Sequence, residues 1–179
     1  MAKPKVATAN LTGCFGCHMS LLDIDERILE LIELVDFDKS PIDDIKEFSG
    51  PVDIGLIEGG CSTDENVEVL RSFRKHCKIL IAVGECALTG GIPSMRNMVP
   101  LKECLEEAFL QGPTVVAGVI PNDPDIPMLL DRVYPCHEVV KIDYFLPGCP
   151  PSADVFWAAL TSLLKGEEPS LPYELIKYD

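Results

Sequence analysis

The stretch Lys78-Ile-Leu-Ile-Ala-Val-Gly-Glu-Cys86 decides how the rest of the chain is read. Behind one lysine, KILIAV is an unbroken apolar run, and a strand without polar alternation is one covered on both faces. Such strands belong to parallel sheets, whose crossover helices shield both sides. Outward from this stretch the same sheet signals recur. Val52–Ile57 (VDIGLI) reads as a strand broken at Gly59-Gly60, and Lys5–Leu11 as one ending at Thr12-Gly13. Thr114–Val119 and Val139–Phe145 are further strand candidates. Between them lie amphipathic stretches. Ser20–Val35 carries Leu21, Leu22, Ile24, Ile28, Leu31, Ile32 and Val35 at near-helical spacing, and Ser20 with Asp23 resembles a capping box. A helix capped within Ser62–Glu65 runs to about His76, with Val67, Leu70 and Phe73 on one face. Leu101–Leu110 and Ser152–Lys165, which holds the only tryptophan, Trp157, complete the set.

Strand–helix alternation of this kind produces right-handed crossovers. The expected fold class is therefore α/β, a flavodoxin-like doubly wound parallel sheet in three layers. A single domain over 1–179 is expected.

Composition narrows the function. Of 179 residues, 47% are hydrophobic and 25% charged, the balance of an ordinary globular domain rather than a disordered chain. Fifteen basic against 29 acidic residues give a net charge of -14, which excludes a nucleic-acid partner because little here would neutralise phosphates. Arg71, Arg74, Lys75 and Lys78 read as a solvated face on one helical stretch. No run approaches the ~18 apolar residues that span a bilayer, so no membrane partner is expected. Met1–Asn10 resembles neither a Sec nor a twin-arginine signal, so a cytoplasmic protein is expected. In that compartment eight cysteines are reduced thiols, available for metal, redox work or core packing.

Their placement separates these roles. In a doubly wound sheet, ligands sit outside the carboxyl ends of the strands, where strand order reverses. Cys14 and Cys17 follow the first strand, Cys61 the second, Cys86 the third and Cys149 the last, so cysteines far apart in sequence are expected to meet in space. An iron–sulfur cubane needs four converging thiolates. Cys14-Phe-Gly-Cys17 supplies a pair on a tight glycine-flanked turn. Cys86 and Cys149 each follow an apolar strand and a glycine, and the prolines after Cys149 stiffen its loop. A zinc site or a Cys14–Cys17 dithiol stays open as an alternative, though zinc sites usually pair two C-x-x-C motifs. Flavin stays open too, since the first strand-to-helix loop is where such a fold holds FMN. That loop has two glycines and two hydroxyls, but cysteines take its central places.

The other cysteines read more plainly. Cys77 and Cys104 are small apolar residues at a helix–strand junction and on a helix. Cys136 beside His137 is a weak metal pair. Cys61 is either a fifth thiol beside the cluster or a substitute ligand. Glu58 and Glu85 sit at the same edge, each a proton relay, a partner contact or a solvated loop residue. His18 either donates to a cluster sulfur or faces solvent where its helix begins.

Four motifs together carry a family resemblance: Cys14 and Cys17 two residues apart, Glu58-Gly59, Gly84-Glu85-Cys86, and Pro147-Gly148-Cys149-Pro150-Pro151. They resemble the small subunit of nickel–iron hydrogenases. The related complex I subunit is similar but carries adjacent cysteines at the first motif. The resemblance covers nearly the whole chain; Leu171–Asp179 offers no cysteine, so the resemblance implies no second cluster-binding domain. The single-cluster, leaderless form is most similar to the soluble NAD-reducing (bidirectional) branch. It implies that Cys14, Cys17, Cys86 and Cys149 ligate one proximal [4Fe-4S] cluster. It also implies that Glu58 lies near the large-subunit interface, and it leaves Cys61 without a ligand role. The implied partners are a nickel–iron large subunit and diaphorase subunits with flavin and iron–sulfur clusters. This chain would pass electrons between them, with no catalytic centre of its own. FMN binding, and a complex I-like cluster subunit, remain alternatives under the same resemblance.

Overall fold

The computed structural model describes residues 3–176, so the domain expected over 1–179 runs past both ends of the described residues. Its strands, numbered along the chain, are β1 (Lys5–Asn10), β2 (Asp36–Phe37), β3 (Val52–Glu58), β4 (Cys61–Thr63), β5 (Cys77–Val83), β6 (Leu129–Tyr134) and β7 (Tyr144–Leu146). The helices are α1 (Gly16–Leu22), α2 (Arg27–Leu34), α3 (Asp64–His76), α4 (Gly84–Thr89), α5 (Leu101–Phe109), α6 (Cys136–Val139) and α7 (Ala153–Leu164). Five strands form one sheet in the order β2-β1-β3-β5-β7, and every neighbouring pair is parallel. From β1 the chain goes to one side for β2, then to the other for β3, β5 and β7. The order therefore reverses between β1 and β3, as in a flavodoxin-like sheet.

Alternation along the strands builds three layers. Val6, Ile54, Leu56, Ile81, Val83 and Leu146 face one side, packed with Leu21 and Leu31 of α1 and α2 and with Phe156 and Leu160 of α7. Ala7, Ala9, Ile57, Leu80 and Ala82 face the other, against Leu70 and Phe73 of α3. Small residues stand where a helix must come close. A side chain at Gly55 would strike Cys77 Sγ at 2.6 Å, so Cys77 is the packing residue expected, and burial pushes its thiol up to about 12.

Helix α3 shows how a local sequence fixes an element. Thr63 caps it, its Oγ1 accepting from the Asn66 N–H at 3.1 Å. Asp64 and Glu65 occupy the first turn and Arg74, Lys75 and His76 the last, each sign matching the helix dipole. The basic face is not wholly solvated. Arg74 is only about a quarter exposed, pairs with Asp143 and donates to the carbonyls of Cys77 (2.7 Å) and Lys78 (2.9 Å).

Several expectations change. Ser20–Val35 is two helices, because Asp25 takes a left-handed φ of 54° and breaks the run. The first starts at Gly16, and Ser20 does not cap it: its hydroxyl donates to the Pro151 carbonyl at 2.5 Å. Thr114–Val119 is no strand. Ala117 is left-handed (φ 53°) and turns the chain back, so Gly118 sits against Leu110 and Val116 is left 91% exposed. The last expected strand shrinks to Tyr144–Leu146, with α6 before it. A two-stranded antiparallel ribbon of β4 and β6, and a 3-10 helix over Ile92–Met98, add elements the periodicity had not distinguished.

Candidate metal centre

The loops after β1 and β3 meet at the point where strand order reverses. Leu11 N–H donates to the Glu58 carbonyl at 2.8 Å, Thr12 N–H to Gly60 at 3.0 Å, and Gly60 N–H back to Thr12 at 2.9 Å. Contact this close is possible because Gly59 (φ +84°) has no side chain; a Cβ there would stand 2.8 Å from the Leu11 carbonyl carbon. The C-x-x-C loop then rises over Gly59. Phe15 takes a left-handed turn (φ 68°) between the two cysteines, and Cys17 enters the first turn of α1.

Cys14, Cys17, Cys86 and Cys149 line one cavity of about 80 Å³, together with Glu58 and Glu85. Three loops bring them there, after β1, β5 and β7. Cys14 and Cys149 are exposed and form the rim, while Cys17 and Cys86 form the wall. Gly84 (φ +77°) lets the loop after β5 pass directly under Cys17 Sγ, which a Cβ would strike.

The electrostatics of this cavity are one-sided. Burial pushes the Cys17 thiol far up, and Glu58 and the thiols of Cys86, Cys14 and Cys149 push it further. Cys86 is raised by burial, then by Cys149 and Cys14, against a hydrogen bond from the Ile92 N–H. Among the described residues, no lysine or arginine lines the cavity. Four soft donors and two carboxylates without a cation call for a cationic centre, and all-thiolate sets suit iron–sulfur clusters. Among the described residues, no group of three or more His, Cys, Asp or Glu side chains is arranged to hold a single metal ion. The four thiols nonetheless line one cavity. The donor set therefore fits the cluster that the family resemblance implies.

The other candidate residues separate cleanly. Cys61 is fully buried in β4 and bonds to Cys136, away from the cavity. The neighbouring Cys136 thiol holds Cys61 below the ordinary thiol value, while Cys61 and burial hold Cys136, whose Sγ–H donates to the Gly59 carbonyl at 3.3 Å, well above it. Among the described residues there is thus neither a fifth thiol at the cavity nor a Cys136–His137 metal pair.

Glu58 is 3% exposed rather than solvated. Its Oε2 accepts the His18 backbone N–H at 2.7 Å and lies 2.9 Å from His18 Nδ1, which has no in-line hydrogen bond. His18 is buried as well, its Nε2 2.9 Å from Thr8 Oγ1 and its ring stacked 4.5 Å from Phe15. It neither faces solvent nor bonds to a cysteine sulfur; instead it clamps the C-x-x-C loop to β1 and β3. Glu85 also has a specific place. Its N–H donates to the Gly148 carbonyl at 3.0 Å, and its Oε1 accepts the Gly148 N–H at 3.4 Å. Each member of this staple precedes a cysteine, Cys86 or Cys149. The sequence signal was the glycine–acid–cysteine run itself, whose partner lies 63 residues further along the chain.

Comparison with known proteins agrees with this geometry. The family model of the NADH ubiquinone oxidoreductase 20 kDa subunit matches residues 14–163, a span that includes all four cavity cysteines. The chain belongs to that family, and within it to the hydrogenase branch, as an oxidoreductase subunit. It is 50% identical over 180 residues to the NAD-reducing hydrogenase HoxS subunit delta of Cupriavidus necator, covering 99% of this chain and 86% of that relative. A crystal structure of an NAD+-reducing nickel–iron hydrogenase in the H2-reduced state contains a chain 51% identical to this one. That pair superposes with a TM-score of 0.96 over 99% of both. The F420-non-reducing hydrogenase of Methanothermobacter marburgensis has a subunit 42% identical over 178 residues, which cover 95% of this chain and 56% of that relative. A nickel–iron–selenium hydrogenase of Desulfomicrobium baculatum, at 19% identity and a TM-score of 0.57 over 96% of this chain and 68% of its own, shares the fold.

Proposed function

We propose that this chain holds one [4Fe-4S] cluster on Cys14, Cys17, Cys86 and Cys149 and serves as the electron-transfer small subunit of a cytoplasmic nickel–iron hydrogenase. Its electrons run between the nickel–iron site of a large subunit and a diaphorase module that reduces NAD or NADP. The observation that carries this reading is the convergence of four thiols from three strand ends on one cavity that no lysine or arginine lines among the described residues.

When bound, such a cluster takes up and returns single electrons at a potential set by its surroundings. The residues of this chain supply those surroundings. Gly16 N–H reaches Cys14 Sγ at 3.4 Å, a donor that favours added negative charge. The carboxylates of Glu58 and Glu85 act in the opposite sense. The Glu85–Gly148 staple and the His18 clamp hold the loops still, so little reorganisation accompanies a change of charge. The chain breaks no substrate bond in this role.

The test is the complex purified anaerobically from its host through this chain, assayed for iron, sulfide, nickel, zinc and FMN. The expected result is nickel in a large co-purifying subunit and a cluster signal that Cys149→Ser abolishes. FMN or zinc stoichiometric with this chain, with iron absent, overturns the reading in favour of a flavin carrier or a structural metal.

A further inference from the structure

The Ile92–Met98 segment is a 3-10 helix of seven residues, where runs beyond three or four are uncommon. Residues three apart eclipse in such a helix. Ile92, Met95 and Met98 therefore stand in one row, 73%, 62% and 83% exposed. The other side of the helix is gripped. Arg96 Nη1 donates to the Leu130 carbonyl at 3.1 Å. Asn97 donates to the Val133 carbonyl at 2.9 Å and accepts the Val133 N–H at 2.7 Å, closing on β6 as a neighbouring strand would. The row is thus displayed by a braced backbone.

The row begins at the thiol cavity. A Cβ at Gly91 would stand 2.9 Å from Cys86 Sγ, and Ile92 is the next residue. Whatever covers Cys86 therefore reaches Ile92. Large exposed apolar groups mark interaction sites, and methionine is enriched in interface cores. A second copy of this chain is a poor occupant, since each copy carries a net charge of -14. We propose, resting on the functional reading above, that Ile92, Met95 and Met98 are the anchor row on which the nickel–iron large subunit seats.

The experiment is affinity purification of the assembled complex through a tag on this chain, comparing wild type, Met95→Asp/Met98→Asp and Met95→Leu/Met98→Leu. Leu29→Asp, at a residue 64% exposed on α2, is the control. Nickel and large subunit recovered per mole of this chain should fall about tenfold or more in the Asp pair, the scale of a lost interface anchor. The Leu pair and the control should recover wild-type amounts. Iron and sulfide per chain in the Asp pair, relative to its circular dichroism spectrum, report folding separately. The proposal is overturned if the Asp pair, folded, retains the large subunit. It is equally overturned if the Leu pair or the control loses it, or if the Asp pair sheds a flavin-bearing subunit instead. Failure of the functional reading looks different, because wild type itself then brings down no nickel subunit.

Discussion

Glu85 shows how one residue can act through two different properties. Its backbone and side chain both bond to Gly148, and its carboxylate adds negative charge beside the thiols. Glu85→Gln keeps an acceptor oxygen for the Gly148 N–H and removes the charge. Iron content should stay at the wild-type level while the cluster's reduction potential becomes more positive, read by redox titration with electron paramagnetic resonance. An unchanged potential would leave Glu85 a purely mechanical brace. Gly59 acts through geometry alone. Gly59→Ala places a Cβ 2.8 Å from the Leu11 carbonyl carbon in a left-handed conformation, and a cost of about 1–3 kcal/mol follows. Denaturant unfolding should register that loss, along with lower iron incorporation, because the loop over Gly59 carries Cys14 and Cys17.

Helix α3 allows the same separation for an element. Its cap and its apolar face are independent contributions. Thr63→Ala removes the acceptor for the Asn66 N–H, and about 1 kcal/mol of stability should go with it. Phe73→Ala leaves a cavity in the layer under Ile57 and Leu80, and the loss should be about 3–5 kcal/mol. Urea midpoints at constant m-value measure both. Equal losses would mean that α3 is held by its ends rather than by its packed face. The paired break between α1 and α2 has a similar logic. The first helix must end early so that Ser20 can tie to the loop of Cys149 while α2 covers β1 and β2.

At the scale of the whole molecule, the edge opposite the thiols is held by ion pairs. Asp53 lies below the ordinary carboxylate range because Lys78 Nζ sits 2.6 Å away and the Lys5 N–H donates at 2.8 Å. Asp143 is pushed up by burial, yet Arg74 and the Leu80 N–H bring it below that range on balance. A carboxylate depressed in the folded state stabilises fully above its unfolded value near 3.8, and that contribution disappears as pH falls through the lower folded value. The unfolding free energy should therefore be level between about pH 5 and about pH 8 and fall below about pH 4. Lys78→Met should flatten part of that fall, measured by urea unfolding at stepped pH. A fall unchanged in Lys78→Met would assign the acid sensitivity to other groups.

What the chain declares locally is extensive. The unbroken apolar run of Lys78–Val83 demanded a strand covered on both faces, and β5 lies inside the sheet between β3 and β7. The glycine-flanked cysteines followed strands, so a parallel sheet had to deliver Cys14, Cys17, Cys86 and Cys149 to one edge. Periodicity and short spacings carry that information because they depend on neighbours along the chain. Only the tertiary structure decided the rest. Cys61 follows a strand as the others do, yet it opens β4 and turns inward to Cys136, which β6 and α6 bring to it across the ribbon. Thr114–Val119 has the composition of a strand, but the left-handed Ala117 turns it back on itself and it joins neither sheet. Glu58 and His18 pass from candidate surface groups to a buried clamp because β1 and β3 are neighbours. A residue's partners depend on which strands lie side by side, and no local pattern encodes that adjacency.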